Sequence, residues 1–381
     1  MKDIRQINNP YNEDKVIDAC SIFGMMDTSG KRFSGEGIIR AIANMHVRGN
    51  GLGGGFAIYG IYPEHADLYA LHIMFMSRQG QQETEAFLRE RFYLVLDEEV
   101  PTRPTAAIKN PPLVWRYFVK VDQHKPEVQS EDDYVVDRVM EINTRLSDSF
   151  VFSSGKDMGV FKGVGYPEEI AEYFGLEEYE GYLWTAHGRF PTNTPGWWGG
   201  AHPFSILDWT VVHNGEISSY GINLRFLEQF GYHCTMQTDT EVVAYAVDLL
   251  MRKHKLPIEI AVSILAPPFW TDIERRPPEE QKLLRTLRQT YGSLLLNGPF
   301  TIIIAHNGEM VGLTDRIRLR PLTVGTKGDT LFLSSEEAAI RLISPDLDKA
   351  WVPMGGEPIV GTLGQRFKPR QTITEMLSVV N

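Results

Sequence analysis

The stretch Thr185-Ala186-His187-Gly188-Arg189-Phe190-Pro191-Thr192 decides how this chain is read, together with three segments behind it: Gly200-Ala201-His202-Pro203-Phe204, Val212-His213-Asn214-Gly215-Glu216-Ile217 and Gln237-Thr238-Asp239-Thr240-Glu241. Strand-like runs, Tyr182 to Thr185 and Thr210 to Val212, lead into the first and third of these. Each run delivers polar residues at its end. Asn214-Gly215 taken alone is a turn signal. Thr238 and Glu241 form a capping-box pair that opens a helix through Lys253, with Val242, Val243, Ala246, Leu249 and Leu250 at helical spacing. Asp239 falls in the first turn, where a carboxylate also offsets the positive end of the helix dipole.

Outward from this centre, short apolar runs alternate with helical patterns, which predicts a mixed α and β protein. A helix runs from Ser34 to about Met45, with Ile38, Ile39 and Ile42 on one side. A glycine cluster, Gly49 to Gly55, leads into the strand Phe56 to Tyr59. Residues 66–165 read as a separate inserted α+β unit. Its pattern is strand Leu68 to Met76, helix Gln82 to Leu94, strand Val114 to Val121, helix Tyr134 to Leu146, and short strands Phe150 to Phe152 and Gly159 to Phe161. That order is similar to ferredoxin-like topologies. Pro267 to Pro278 reads as a loop, and Phe300 to Ala305 and Thr330 to Leu333 as late strands.

The 381 residues suggest roughly two domains at about 150 residues each. Hydrophobic residues at 43% and charged residues at 23% describe a globular chain rather than a disordered one. The net charge of −11 argues against a nucleic-acid or anionic-membrane partner. Two cysteines, Cys20 and Cys234, cannot build a disulfide framework or a four-thiolate zinc site, so a cytoplasmic, reducing compartment is expected. No apolar run approaches the roughly 20 residues that span a bilayer. The polar segment Met1 to Ala19 lacks the features of a secretory signal.

Two patterns mislead. Gly49-Asn50-Gly51-Leu52-Gly53-Gly54 satisfies G-x-G-x-x-G, but it follows a helix and precedes a strand, the reverse of a dinucleotide site, so it reads as a tight turn. His187, His202 and His213 lack metal-ligand spacing and read as hydrogen-bonding histidines. No metal and no organic cofactor is expected.

The segments quoted first resemble the glutaminase domain of class II glutamine amidotransferases, the N-terminal-nucleophile type. Cys20-Ser21-Ile22-Phe23-Gly24 is similar to that family's nucleophile segment. Gly298-Pro299-Phe300, Thr314-Asp315-Arg316, Arg320-Pro321-Leu322 and Leu333-Ser334-Ser335-Glu336 resemble its closing half, in the family's order. The resemblance implies an α+β fold, a four-layer αββα sandwich of two antiparallel sheets with Cys20 beginning a central strand. Residues 20–65 and 166–381 would form the glutaminase domain.

Amide hydrolysis needs a nucleophile, a proton carrier and a stabilised oxyanion. A free thiol near pKa 8.5 is mostly protonated at neutral pH. In the family that Cys20 resembles, the nucleophile's own α-amino group is the base, and its unperturbed pKa of about 7.7–8.0 suits that task. Cys20 has no free amine while Ala19 is attached, so Met1 to Ala19 is expected to be a propeptide. By the same resemblance Asn214 and Gly215 form the oxyanion hole, Arg189 grips the α-carboxylate of L-glutamine, Asp239 meets its α-ammonium, and Thr192 and His202 line the pocket.

Ser21 stands where the family usually has glycine, and Pro191 interrupts the arginine segment. No synthase domain or iron–sulfur cysteine set follows the glutaminase segments. The chain resembles stand-alone glutaminase subunits similar to domain one of glutamate synthase, which implies a partner synthase chain carrying flavin and iron–sulfur centres as the ammonia acceptor. Two rival readings stay open. One is an amidase of the same nucleophile class acting on another acyl compound. The other is a non-catalytic regulatory subunit with an unprocessed N-terminus.

Overall fold

The computed structural model describes residues 19–123, 130–190 and 196–367. It is an α+β protein. Its largest sheet has seven antiparallel strands. Their spatial order is β17 (Lys349–Trp351), β15 (Thr323–Lys327), β16 (Thr330–Ser334), β1 (Ser21–Asp27), β10 (Leu183–Gly188), β3 (Gly54–Tyr59) and β8 (Met158–Gly163). β1 is the middle strand. Its Ile22, Phe23 and Met26 are buried, and each such side chain contributes roughly 1.5–3 kcal/mol by leaving water.

A second sheet of five antiparallel strands runs β11 (Phe204–Ile206), β12 (Trp209–Gly215), β13 (Phe300–His306), β14 (Glu309–Thr314) and β18 (Ile359–Thr362). The two sheets touch. A Cβ added at Gly24 of β1 would lie 2.8 Å from Met310 Sδ of β14, so glycine lets the sheets approach there. Tyr59 of β3 donates across the gap toward Ala305 O at 2.9 Å and Asp208 O at 2.8 Å, and its hydroxyl lies 2.7 Å from Thr210 Oγ1. A short ribbon pairs β2 (Phe33–Ser34) with β9 (Glu180–Gly181).

The seven-stranded sheet is covered by α1 (Glu36–Ala43), α4 (Pro167–Phe174) and α10 (Glu337–Ile343). α6 (Asp239–Val247) lies on β11 and β12 of the other sheet, with α5 (Tyr220–Glu228) beside it. Further along the chain come α7 (Ile258–Leu265), α8 (Trp270–Glu274) and α9 (Pro278–Thr290), with α7 and α8 both packed on α9. The stretch expected to be a bare loop between Pro267 and Pro278 thus holds α8.

The predicted inserted region contains a four-stranded antiparallel sheet in the order β5 (Tyr93–Glu99), β6 (Leu113–Lys120), β4 (Tyr69–Phe75) and β7 (Ser149–Ser153). Helices α2 (Arg78–Arg91) and α3 (Glu131–Arg145) connect its strands. Two details differ from the sequence pattern. β5 is a strand the pattern missed, because it follows α2 with no turn residue and lies mostly exposed at the sheet edge. Gly159-Val160-Phe161 belongs to β8, which pairs with β3 in the seven-stranded sheet rather than with the inserted strands.

The helix expected over Thr238 to Lys253 divides into α6 and a π-helical stretch, Asp248–Lys253. Thr238 does cap it, its hydroxyl accepting the Thr240 N–H at 3.0 Å. The capping box is not formed. Glu241 instead accepts the N–H groups of Thr235 and Met236, both at 2.9 Å, and so ties down the chain that enters the helix.

Candidate active site

Cys20 sits immediately before β1, at the end where Ser21 pairs with Gly188 of β10. The residue after Gly188 is Arg189, so sheet register alone brings the thiol and the guanidinium to one corner. The Phe190 N–H donates to Cys20 Sγ at 3.4 Å. Arg48 Nε donates to the Cys20 carbonyl at 3.2 Å, and Arg48 Nη1 pairs with Glu336 at 2.9 Å. Burial pushes the Cys20 thiol up. The Phe190 N–H, Arg189 and Arg320 pull it back, while Asp239 pushes it further up.

Arg189 is 4% exposed. The glycine cluster read as a plain turn has a task here. Gly53 O accepts the Arg189 N–H at 2.9 Å, and the Asn50 N–H donates to Arg189 O at 3.2 Å. A Cβ at Gly53 would come within 3.0 Å of Arg189 Cδ, and one at Gly200 within 3.1 Å of Nη1. The arginine is therefore walled on two sides by backbone that carries no side chain. Burial weakens its hold on the proton, and the nearby Cys20 and Asp239 oppose that.

Asn214 and Gly215 end β12. Asn214 is completely buried, and neither Nδ2 nor Oδ1 has a partner among the described residues. An unpaired buried amide costs about 1–3 kcal/mol, so its retention calls for an explanation. Gly215 has φ +143°, and a Cβ there would lie 2.0 Å from Pro299 O. Only glycine fits. Asp239 joins this turn, its Oδ2 accepting the Ile217 N–H at 2.8 Å. Burial would raise the Asp239 carboxyl, but the His213 imidazole, the Ile217 N–H and the Thr240 hydroxyl outweigh it and hold the acid below its ordinary range. Its side chain stays 25% exposed.

Behind the carboxylate lie the three histidines. His202 Nε2 is 2.8 Å and His213 Nδ1 is 3.1 Å from Thr240 Oγ1, which donates to Asp239 Oδ1 at 3.3 Å. His187 Nε2 donates to His213 O at 2.9 Å, and its ring stacks on His202 at 3.8 Å. In each ring the remaining nitrogen is buried without a partner among the described residues. One N–H per ring, used once, satisfies the arrangement. Burial pushes His187 down to about 3 and His202 well down, so both are neutral. Among the described residues no group of His, Cys, Asp and Glu could hold a metal ion.

Cys20, Arg189, Asn214, Gly215, His202 and Asp239 thus collect at neighbouring ends of β1, β10, β12 and α6. Thr192 and the segment 1–18 lie outside the described residues. Sequence reasoning passed over Arg48, Arg320 and Lys162. Arg320 had a signal, since it stands in the Arg320-Pro321-Leu322 segment. Arg48 had none. Lys162 interrupts the apolar strand Met158–Gly163, and a lone lysine in a buried strand was the available clue.

The model of the family "Glutamine amidotransferases class-II" matches residues 60–351, and the chain belongs to that family. Cys20 precedes the matched span. An "Uncharacterized protein" of Archaeoglobus fulgidus is 62% identical over 359 residues, 93% of this chain and 95% of that one. A "Putative glutamine amidotransferase" of Methanothermobacter thermautotrophicus is 26% identical over 332 residues, 84% of this chain and 93% of that one. The glutamate synthase [NADPH] large chain of Bacillus subtilis is 25% identical over 265 residues, 62% of this chain and 17% of that one. This is an enzyme of the class II amidotransferase family. No helix among its described residues is long and apolar enough to cross a membrane.

Proposed function

We propose that this amidotransferase hydrolyses L-glutamine to L-glutamate and ammonia through a thioester on Cys20, once Met1 to Ala19 has been removed. One observation carries the reading. The Cys20 thiol lies close enough to Arg189 and Asp239 to feel both charges, and Asp239 accepts the Ile217 N–H from the turn that follows Asn214, whose amide has no partner among the described residues. In the reaction the free α-amine of Cys20 takes the thiol proton, and sulfur attacks the side-chain carbonyl carbon. The negative oxygen is met by Asn214 Nδ2 and the Gly215 N–H. The α-ammonium then protonates the amide nitrogen, the C–N bond breaks and ammonia leaves. Water hydrolyses the thioester by the same route. Arg189 grips the substrate carboxylate, Asp239 its ammonium, and His202 lines the pocket.

The supporting architecture is the four-layer αββα sandwich of N-terminal-nucleophile hydrolases, formed by residues 20–65 and 166–381. The 66–165 unit is an insertion of ferredoxin-like topology, with β8 reassigned to the glutaminase sheet. The released ammonia passes to a partner synthase, and an acceptor of the glutamate synthase kind is the one this reading takes. The purified chain is expected to release ammonia from L-glutamine but not from L-asparagine, and to have a mass beginning at Cys20. An inactive chain with Cys20 as its first residue would contradict the reading.

A further inference from the structure

We propose that Lys162 is a positioning residue for the glutamine site: its ammonium holds segment 199–203 in place and so fixes one wall of Arg189 and the His202–Thr240–Asp239 chain. The inference rests on the function proposed above and adds a residue to it.

Lys162 lies on β8, the edge strand of the larger sheet, and is 2% exposed. Lysine is almost never so buried unless it is paired. Among the described residues no carboxylate lies within ion-pair distance. Nζ instead donates to Gly199 O at 3.0 Å and to Pro203 O at 3.3 Å, with the Phe204 ring centroid 4.4 Å away. Those two carbonyls bracket Gly200 and His202. Gly200 packs on the Arg189 guanidinium, and His202 reaches Thr240, which bonds Asp239. One cation thus pins the backbone behind both groups that would read the substrate's charges. A fully apolar side chain would fill the same volume without the desolvation cost, so the ammonium is retained for what it holds.

The surroundings also make the clamp sensitive to pH. Burial brings Lys162 down to about 7; Glu241 opposes this and Arg189 adds to it. His202 faces it as a neutral ring, and the Phe152 and Phe204 rings complete the enclosure. Glu241 is itself pushed up to about 7 by burial, against donors from Thr235, Met236 and Tyr245. Deprotonation of Lys162 above neutrality weakens its two bonds and loosens the segment.

The test is steady-state glutamine hydrolysis by the mature wild-type, Lys162→Met and Lys162→Arg enzymes between pH 6 and 9. Wild-type KM for glutamine is expected to rise as pH passes 7. Lys162→Met is expected to raise KM about tenfold at pH 6, with kcat changed less than about threefold and no further pH dependence of KM. Lys162→Arg, charged throughout, is expected to restore the low KM and abolish its rise. An unchanged KM in Lys162→Met, whatever its melting temperature, would overturn the proposal. Should that variant fail to fold, identical KM–pH profiles for wild type and Lys162→Arg would overturn it. A mature wild type that does not hydrolyse glutamine would overturn the functional reading itself, and this inference with it.

Discussion

Cys20 Sγ accepts the backbone N–H of Phe190 at 3.4 Å, one residue beyond Arg189. The sulfur is thus indexed to the same strand end that carries the proposed carboxylate clamp. Because β1 and β10 are paired, nucleophile and clamp cannot drift apart without breaking ladder bonds at the centre of the sheet.

Asn214→Ala separates stability from catalysis. The wild-type amide is buried and unpaired, so removing it relieves a cost rather than creating one. The melting temperature is expected to hold or rise. kcat for glutamine is expected to fall about 10²–10³-fold, the usual loss for one oxyanion donor. Thermal melts beside initial rates would check both halves, and a kcat within a few-fold of wild type would exclude Asn214 from the oxyanion hole.

Gly215→Ala acts through the backbone. A left-handed φ and a 2.0 Å approach to Pro299 O leave no room for a methyl group. The strained conformation alone costs about 1–3 kcal/mol. Urea unfolding should show at least that loss, whereas a midpoint matching wild type would mean the turn can be rebuilt.

His72 provides an acid-sensitivity test away from the site. Its Nε2 is 2.9 Å from Tyr62 Oη, its Nδ1 is 2.9 Å from Val160 O, and burial followed by Arg116 pushes it down to about 3. Unfolded, it would titrate near 6.5. Between those values the unfolded chain binds the extra proton. The contribution to stability is therefore complete above about pH 6.5 and is lost as pH falls toward about 3. At pH 5 the loss is about 2 kcal/mol. Denaturant titrations at pH 7 and pH 5 should show that decrement shrinking in His72→Phe; equal decrements in both proteins would refute the assignment.

Deleting 66–165 is expected to destroy the fold, not merely remove an appendage. β8 would be lost from the seven-stranded sheet. Leu71, Ile73 and Val139 also share a core with Val243 and Leu250, and Arg252 Nη1 pairs with Asp133 at 2.7 Å. Each apolar side chain exposed costs about 1.5–3 kcal/mol. A deleted chain that still melts cooperatively would show that the two cores are independent.

These features differ in how far the sequence revealed them. The strands that carry the site were legible, because Tyr182 to Thr185 and Thr210 to Val212 are apolar runs closed by polar residues. The helix at Asp239 was legible from Thr238. β5 was not: Tyr93-Leu94-Val95-Leu96 follows α2 without punctuation, and an edge strand with exposed side chains shows no alternation. Glu241 carried a true signal for the wrong partner, since three donors from the entering chain and from Tyr245 compete for it. The glycine cluster was legible as a turn, but its packing on Arg189 is a contact between residues far apart in sequence. Lys162 was visible only as an oddity, because what a buried ammonium holds depends on the path of a distant loop.

The most direct test of the central claim is covalent trapping with 6-diazo-5-oxonorleucine, a glutamine-like electrophile, followed by intact mass and peptide mapping. The account predicts one adduct per chain, on a peptide whose first residue is Cys20, with excess L-glutamine slowing its formation. Labelling at Cys234 instead, or an active chain that remains unlabelled and still begins at Met1, would contradict it.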